Sequence, residues 1–177
     1  GFSLASLYLA IPRVLGGRPT SALAVMEAHA DRWDRCRGFM QPRYRWILRL
    51  LCAATAGDVA QARLALTEYE RDPGCLHSLD VFADLGTVRL AAADGRPADA
   101  AALAVSAGDR WRGIGLGYSE AMCRYELVRL GDVSAEARLI ELAEECEGVL
   151  VATFAEHASA LRRDDGAVLA GLSERLE

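Results

Sequence analysis

The stretch Leu48–Glu70, LRLLCAATAGDVAQARLALTEYE, decides the fold of this chain. An apolar helical run ends at the pair Gly57-Asp58, and an alanine-rich segment follows at once. Glycine ends a helix readily because it adopts the left-handed backbone conformation without a Cβ penalty. Aspartate then caps the next helix by accepting a hydrogen bond from a free backbone N–H. The stretch therefore predicts a helical hairpin, two helices joined by a tight turn.

The same kind of break recurs along the chain at intervals of 34 to 40 residues. The breaks are Gly17-Arg18, Gly57-Asp58, Gly95-Arg96, Gly131-Asp132 and Asp165-Gly166. Three further stretches align with the first: TVRLAAADGRPADAAALAVSAGD, YELVRLGDVSAEARLIELAEE and HASALRRDDGAVLAGLSERLE. Pro19 and Pro97 stand where a helix begins and a missing N–H is tolerated, and Asp58 and Asp132 can cap. A repeat of this length is typical of helical solenoids.

The second helix of each hairpin carries an apolar stripe at offsets 0, 3, 4 and 7, the period of a packed helix. The stripes are Ala22, Val25, Met26 and His29; Ala62, Ala65, Leu66 and Tyr69; Ala100, Leu103, Ala104 and Ala107; and Leu139, Leu142, Ala143 and Cys146. Alanine at the first position of three stripes predicts close approach of a partner helix.

The fold class predicted is all-α, a right-handed α-α superhelix of five hairpins that resembles a tetratricopeptide solenoid. First helices are predicted near 3–15, 43–56, 79–94, 117–130 and 149–163. Second helices are predicted near 20–35, 59–71, 97–108, 134–146 and 166–176. Pro12 is expected to kink the first helix or end it at Ile11. Segments 36–42, 72–78 and 109–116 are predicted loops between repeats, and residues 1–177 are expected to form one domain, a fragment of a larger protein.

The composition supports a helical protein. Of 177 residues, 32 are alanine and 25 are leucine, whereas β-branched and aromatic residues are sparse, which disfavours an all-β fold. A net charge of −5 and a pI near 5.3 exclude nucleic-acid binding through bulk charge. No run approaches the roughly 20 apolar residues of a membrane span, and no basic segment precedes the first apolar run. A cytoplasmic location is expected.

Few residues suggest catalysis or metal binding. The five cysteines lack a C-x-x-C spacing and are predicted to be free thiols: Cys36, Cys52, Cys75, Cys123 and Cys146. His29 fits a core position, His157 follows Glu156 on a first helix, and His77 with Cys75 offers only two metal ligands in one loop. The run from Gly113 to Gly117 lacks the strand, Lys and Ser/Thr of a phosphate loop. We predict no enzyme activity, no metal and no cofactor.

The most unusual segment runs from Arg32 to Arg49, where six arginines alternate with aromatic residues. Such a patch can bind phosphates, carboxylates or a nucleic-acid strand, although pairing with neighbouring acids is the favoured interpretation. The acidic run in 136–147 is interpreted as a solvated helix face. First helices usually line the concave face of a solenoid, which makes their polar and aromatic residues candidates for a binding groove. These are Arg45, Trp46, Arg49, Asp80, Asp84, Tyr118 and Arg124.

The stretch from about Leu85 to Glu177 resembles the carboxy-terminal helical repeats of large actinobacterial LuxR-family regulators. The matching pieces are LAAADGRPADAAAL, GDRWRGIGLGYSEAMCRYELVRLGD and FAEHASALRRDDGAVLAGLSERLE. Members of that family join a signal-transduction ATPase, sometimes with a nucleotide-cyclase module, to tetratricopeptide-like repeats and a DNA-binding helix-turn-helix. The resemblance implies a region that senses a small-molecule inducer or a protein partner. DNA would be bound only through a module outside this chain.

Two interpretations of the function stay open beside each other. The first is the sensing region of such a regulator. The second is a stand-alone scaffold that binds a protein or peptide or forms a homodimer, with apolar surface exposed on its first helix at Phe2, Leu4, Leu7, Tyr8 and Ile11.

Overall fold

The computed structural model of this protein describes residues 2–28, 41–71 and 78–176, and the chain divides into two compact units. Unit 1 comprises residues 1–96 and unit 2 comprises residues 97–177. The described residues form ten α-helices and no strand, so the prediction of an all-α fold is confirmed. The helices are α1 (Phe2–Leu15), α2 (Pro19–Glu27), α3 (Gln41–Thr55), α4 (Val59–Glu70), α5 (Val81–Ala93), α6 (Pro97–Gly113), α7 (Gly117–Arg129), α8 (Glu136–Glu145), α9 (Val149–Arg163) and α10 (Gly166–Leu176).

The turns follow from the local chemistry that the sequence predicts. Gly57 has a φ of 78°, and the N–H of Asp58 donates to the carbonyl of Ala53 across the turn, at 2.9 Å. This hydrogen bond spans six residues and gives the Ala53 carbonyl at the end of α3 a partner. The Asp58 carboxylate then accepts from the N–H of Gln61 at 3.0 Å and caps α4. Gly17, Gly95 and Gly131 adopt the same left-handed conformation.

The break at 164–166 is built differently from the prediction. Asp164 takes the left-handed conformation, with a φ of 54°, and Gly166 is the first residue of α10. The Asp165 carboxylate accepts from the N–H of Val168 at 3.1 Å and caps that helix. Aspartate tolerates the left-handed region because its short polar side chain can hydrogen-bond locally. Asp164 is therefore the turn residue, and Asp165 is the helix cap.

The observed helix ends in unit 1 agree with the prediction for α1 and differ from it for α2. The helix predicted near 3–15 continues through Pro12 to Leu15, so the alternative end at Ile11 is wrong; Ala10 and Val14 are buried on both sides of the proline and hold the last turn against the rest of the unit. Helix α2 ends at Glu27, well before the predicted end at 35. Residues 29–40 and 72–77, which include most of the predicted loops 36–42 and 72–78, lie outside the described ranges. The first of these loops is wrong for its last two residues, because Gln41 and Pro42 already belong to α3.

In unit 1, α3 is the central helix and packs against α1, α2, α4 and α5. A cluster of Leu50, Ala53, Ala54, Ala62, Ala65 and Leu90 forms the core between α3, α4 and α5. Ala62 and Ala22 are fully buried, as the stripes predict, and so is Ala100 in unit 2. Alanine at these positions brings helix axes close because no larger side chain separates them.

The closest approach involves Gly86 of α5 and the backbone of α3. A Cβ at this position would lie 2.7 Å from Cγ of Leu50 and 3.0 Å from the backbone N of Leu51. We expect Gly86→Ala to lower the free energy of unfolding by about 2 kcal/mol, because overpacking against backbone outweighs the gain in helix propensity. Urea denaturation followed by circular dichroism measures the change. Gly171→Ala, in α10 with open space around it, should instead be neutral or stabilising.

In unit 2, α7 packs against α6, α8 and α9, and α10 packs on α9. Helix α6 extends to Gly113, so the loop predicted over 109–116 is wrong for its first five residues. Trp111 is completely buried and continues the stripe of Ala100, Ala104 and Ala107 by one more turn, although Leu103 of that stripe is exposed. The turn itself is confined to 114–116, where Gly115 has a φ of 75°.

Candidate functional site

Two of the predicted groove residues, Trp46 and Arg49, line a cavity of about 350 Å³ in unit 1. Both belong to α3, one turn apart on the helix face toward α2 and α4. The Arg49 guanidinium lies 5.6 Å from the centroid of the Trp46 ring, and that of Arg45 lies 5.4 Å from it. The indole is therefore flanked by two cations, as cation–π attraction favours.

The cavity is shaped by second helices as well as by the first. Helix α2 contributes one wall and α4 the other, while small residues of α3 and α4 leave the space between them open. The lining residues are Thr20, Leu23, Glu27, Trp46, Arg49, Ala53, Ala56, Asp58, Gln61, Leu64 and Ala65. The sequence argument placed candidates on first helices only and missed the α2 and α4 residues. The sequence signal for these lining residues was the run of alanines, because small side chains leave open space where three helices meet.

Asp80, another predicted groove residue, is buried with only 1% of its surface exposed. Its carboxylate accepts from Nε of Arg43 at 3.2 Å, and Nη2 of Arg43 donates to the hydroxyl of Tyr69 at 2.7 Å. Burial, together with the charge of Asp80, raises the pKa of Tyr69 to about 12. These three groups connect α3, α4 and the start of α5. Asp80 is thus engaged inside the unit instead of facing a groove, and Asp84 lies half-buried near the same tyrosine.

In unit 2, the predicted residue Arg124 belongs to a partly buried ion network, whereas Tyr118 is 47% exposed on α7. Glu120, 1% exposed, accepts from Nη2 of Arg138 at 2.9 Å and from its Nε at 3.0 Å. Nε of Arg124 lies 3.5 Å from the same carboxylate, and its Nη2 donates to Asp109 at 2.5 Å. The network joins α6, α7 and α8.

The acidic face of α8 is largely solvated, in line with the interpretation of residues 136–147. Glu141 and Glu145 are exposed and both accept from Arg138 at 2.9 Å. Hydrogen bonds to Glu120 first, and then to these two carboxylates, raise the pKa of Arg138, which keeps it cationic. Glu136 pairs with Arg162 of α9. The carboxylates are therefore placed as ion-pair partners.

An aromatic contact that the sequence did not predict joins α7 to α9. The rings of Tyr125 and Phe154 stack with centroids 3.9 Å apart and planes 9° apart. The Tyr125 hydroxyl and Nδ1 of His157 are 2.7 Å apart, so the two share a hydrogen bond. Burial raises the pKa of Tyr125 and lowers that of His157, so this hydrogen bond joins a neutral phenol to a neutral imidazole at pH 7.

This pair predicts a pH dependence of stability. The pKa of His157 is lower in the folded chain than in the unfolded chain, where histidine titrates near 6.5. The unfolded state thus binds more protons, and the free energy of unfolding should fall as the pH drops below about 6.5. Denaturation of the wild type and His157→Gln between about pH 7.5 and pH 5 measures this. The glutamine variant keeps a hydrogen-bonding group for Tyr125 but does not titrate. An equally steep decline of stability in this variant would assign the pH dependence to other groups.

The thiols of the described residues are buried or half-buried. Burial raises the pKa of Cys52 to about 12, so its thiol is a poor nucleophile at neutral pH. Cys123 is buried and Cys146 half-buried. Within the same ranges no three His, Cys, Asp or Glu side chains are grouped to hold a metal ion. His29, His77, Cys36 and Cys75 lie outside the described residues, as do Arg32, Arg35 and Arg37 of the arginine-rich segment.

Comparison with known proteins returned no match: no family model, no curated protein and no solved structure is similar to the chain. No helix in the described ranges combines the length and the apolar character that a membrane span requires. The cavity of unit 1, the contacts around it and the sequence resemblance are therefore the features from which a function can be inferred.

Proposed function

We propose that this chain is a ligand-binding helical-repeat module, the sensing region of a LuxR-family transcriptional regulator. The observation that carries the proposal is the cavity of about 350 Å³ around Trp46 and Arg49. Its volume is at the lower end of the range of roughly 300 to 1,000 Å³ found for small-molecule sites. It also combines apolar walls with a few polar and charged groups, as such sites do.

The location of the cavity supports a signalling role. It lies where α2 of the first hairpin meets α3 and α4 of the second. A ligand in the cavity would contact both hairpins at once. It would therefore favour one relative arrangement of the two hairpins over another. Population shift of this kind requires only that the ligand bind one arrangement more tightly than the other. In the proposed regulator, the shift would be passed to an ATPase and a DNA-binding module outside this chain.

The first test is a thermal-shift screen of the full chain against metabolites that include anions, cations and neutral compounds. We expect at least one compound to raise the melting temperature of the wild type. Trp46→Ala should abolish that shift, whereas Tyr118→Ala, which removes an exposed aromatic residue of unit 2, should leave it unchanged. A screen without a hit, or a hit unaffected by Trp46→Ala, would contradict ligand sensing at this cavity.

The regulator context is tested by sequencing the coding region on both sides of the segment. A P-loop ATPase upstream and a helix-turn-helix within about 100 residues downstream would support it. An in-frame start just before Gly1 and a stop just after Glu177 would contradict it.

A stand-alone protein-interaction scaffold is the second candidate, favoured by the exposed apolar side chains of α1. Tyr8 is 73% exposed and Leu9 is 50% exposed on adjacent positions of that helix. Apolar surface of this kind often mediates contact with another chain. Concentration-dependent dimerisation in sedimentation experiments, abolished by Tyr8→Glu with Leu9→Glu, would support this function. A monomer at all concentrations would weaken it.

A further inference from the structure

The charges around the unit 1 cavity define the chemistry of its ligand. Three charged residues line it: Glu27, Arg49 and Asp58. Asp58 is already used by the fold, because its carboxylate caps α4 by accepting from the N–H of Gln61 at 3.0 Å. The N-terminus of α4 also offsets its negative charge. Arg49 and Glu27 are therefore the charges that a ligand would encounter.

Arg49 is the better placed of these two to hold a ligand. Its side chain is half-buried beside the indole of Trp46, whereas Glu27 is exposed on α2. Among the described residues, the Arg49 guanidinium contacts the Trp46 ring and forms no ion pair. Its donors are thus not taken up by a carboxylate of that part of the chain. A guanidinium held by an aromatic face binds carboxylates in a bidentate manner.

The rest of the lining selects the body of the ligand. Leu23, Leu64 and the Trp46 ring offer apolar surface, and Ala53 and Ala65 form a small-residue floor. Thr20 and Gln61 add hydrogen-bonding groups. A flat or branched apolar group would displace water from this surface and bury it, which favours binding.

We infer that the cavity binds a small organic carboxylate with an apolar body, its carboxylate on Arg49 and its body against Trp46. This inference rests on the proposed ligand-sensing function and specifies its ligand class. Phosphate esters fit less well, because a dianion would bring its second charge into a cavity that already contains the carboxylate of Glu27.

Four probes of matched size test the ligand class by isothermal titration with the full chain: 3-phenylpropionate, its neutral amide, 3-phenylpropylamine and phenylalanine. We expect 3-phenylpropionate to bind at least tenfold more tightly than the amide, and the amine to bind more weakly than either. Tighter binding of phenylalanine would also support the carboxylate and would assign its ammonium group to Glu27. Equal affinity for the anion and the amide, or preference for the amine, would overturn the inference.

Variants then connect the affinity to the residues. Arg49→Met keeps much of the apolar stem and should weaken 3-phenylpropionate binding at least tenfold while leaving the amide unchanged. Arg112→Met removes an exposed arginine that does not line the cavity and should have no effect. Circular dichroism confirms that each variant is folded. Loss of affinity for both probes in Arg49→Met would overturn the assignment of the carboxylate to this residue.

The two proposals fail in different ways. A hit in the metabolite screen that depends on Trp46, combined with no preference for the anionic probe, would overturn the ligand class and leave the sensing function standing. If neither the screen nor any of the four probes shows binding, both proposals are wrong.

Discussion

Replacing Glu120 by glutamine is expected to lower the free energy of unfolding by about 3 kcal/mol. The carboxylate is almost completely buried and accepts two hydrogen bonds from Arg138, with Arg124 close to it on the other side. The amide retains the shape of the side chain but removes the negative charge between two guanidinium groups. Arg138 keeps Glu141 and Glu145, and Arg124 keeps Asp109, so the loss is at the lower end for a broken buried pair.

Glu144→Gln is the matched control for this prediction. Glu144 is an exposed carboxylate of the same unit, and it forms no ion pair within the residues that the structure describes. Its substitution should change stability by less than about 0.5 kcal/mol. Urea denaturation followed by circular dichroism compares the two variants, and equal effects would show that Glu120 is solvated.

A double-mutant cycle separates the energy of the Glu120–Arg138 ion pair from the energetic cost of burying a polar group. Glu120→Gln and Arg138→Gln, measured singly and together, should show a coupling energy of about 1 to 3 kcal/mol because the side chains are in direct contact. Additive effects would contradict the pairing, even if each single variant is destabilised.

The turns of this fold were predictable from the sequence because they depend on neighbouring residues. Gly57 supplies the left-handed turn, Asp58 caps the next helix, and Pro97 begins α6, all within a few positions of each other. These effects are local, and the backbone groups at a helix end need partners in any packing arrangement. The helical class and most helix positions follow from them.

The ion network of unit 2 was not predictable in this way. Glu120 and Arg138 are 18 positions apart on different helices, and only the packing of α7 on α8 brings them together. The sequence showed a run of acids on α8 but gave no reason to expect a buried acid on α7. Arg124, predicted to face a groove, is held by that acid, and its guanidinium passes so close to Gly108 that a Cβ there would lie 2.8 Å from Nε.

The candidate site was predictable in part. Residue type and position on a first helix made Trp46 and Arg49 candidates, and both line the cavity of unit 1. The walls from α2 and α4 were missed because a cavity depends on the volume that packed side chains leave empty. Asp80 is buried because the Arg43 guanidinium reaches it from α3, a contact between residues 37 positions apart that only the packing brings together.

Replacing Trp111 by alanine should lower the free energy of unfolding by about 3 to 5 kcal/mol, the largest effect expected for a single substitution here. Its side chain is completely buried in unit 2 and is the largest side chain in the described core. Truncation removes its apolar contacts and leaves a cavity that helix packing closes only in part. Trp111→Phe should lower the free energy of unfolding by a smaller amount, because the smaller ring still fills much of the space.

Arg112→Ala is the control, since it alters the neighbouring residue on the exposed face of α6. It should change stability by less than about 0.5 kcal/mol. The comparison tests the end of α6 directly, because in a loop over 109–116 both side chains would face solvent. A small effect of Trp111→Ala, similar to that of Arg112→Ala, would mean that the helix ends near 108 as the sequence predicts. A large difference between them would establish that the tryptophan fixes the last turn of α6 by its own burial.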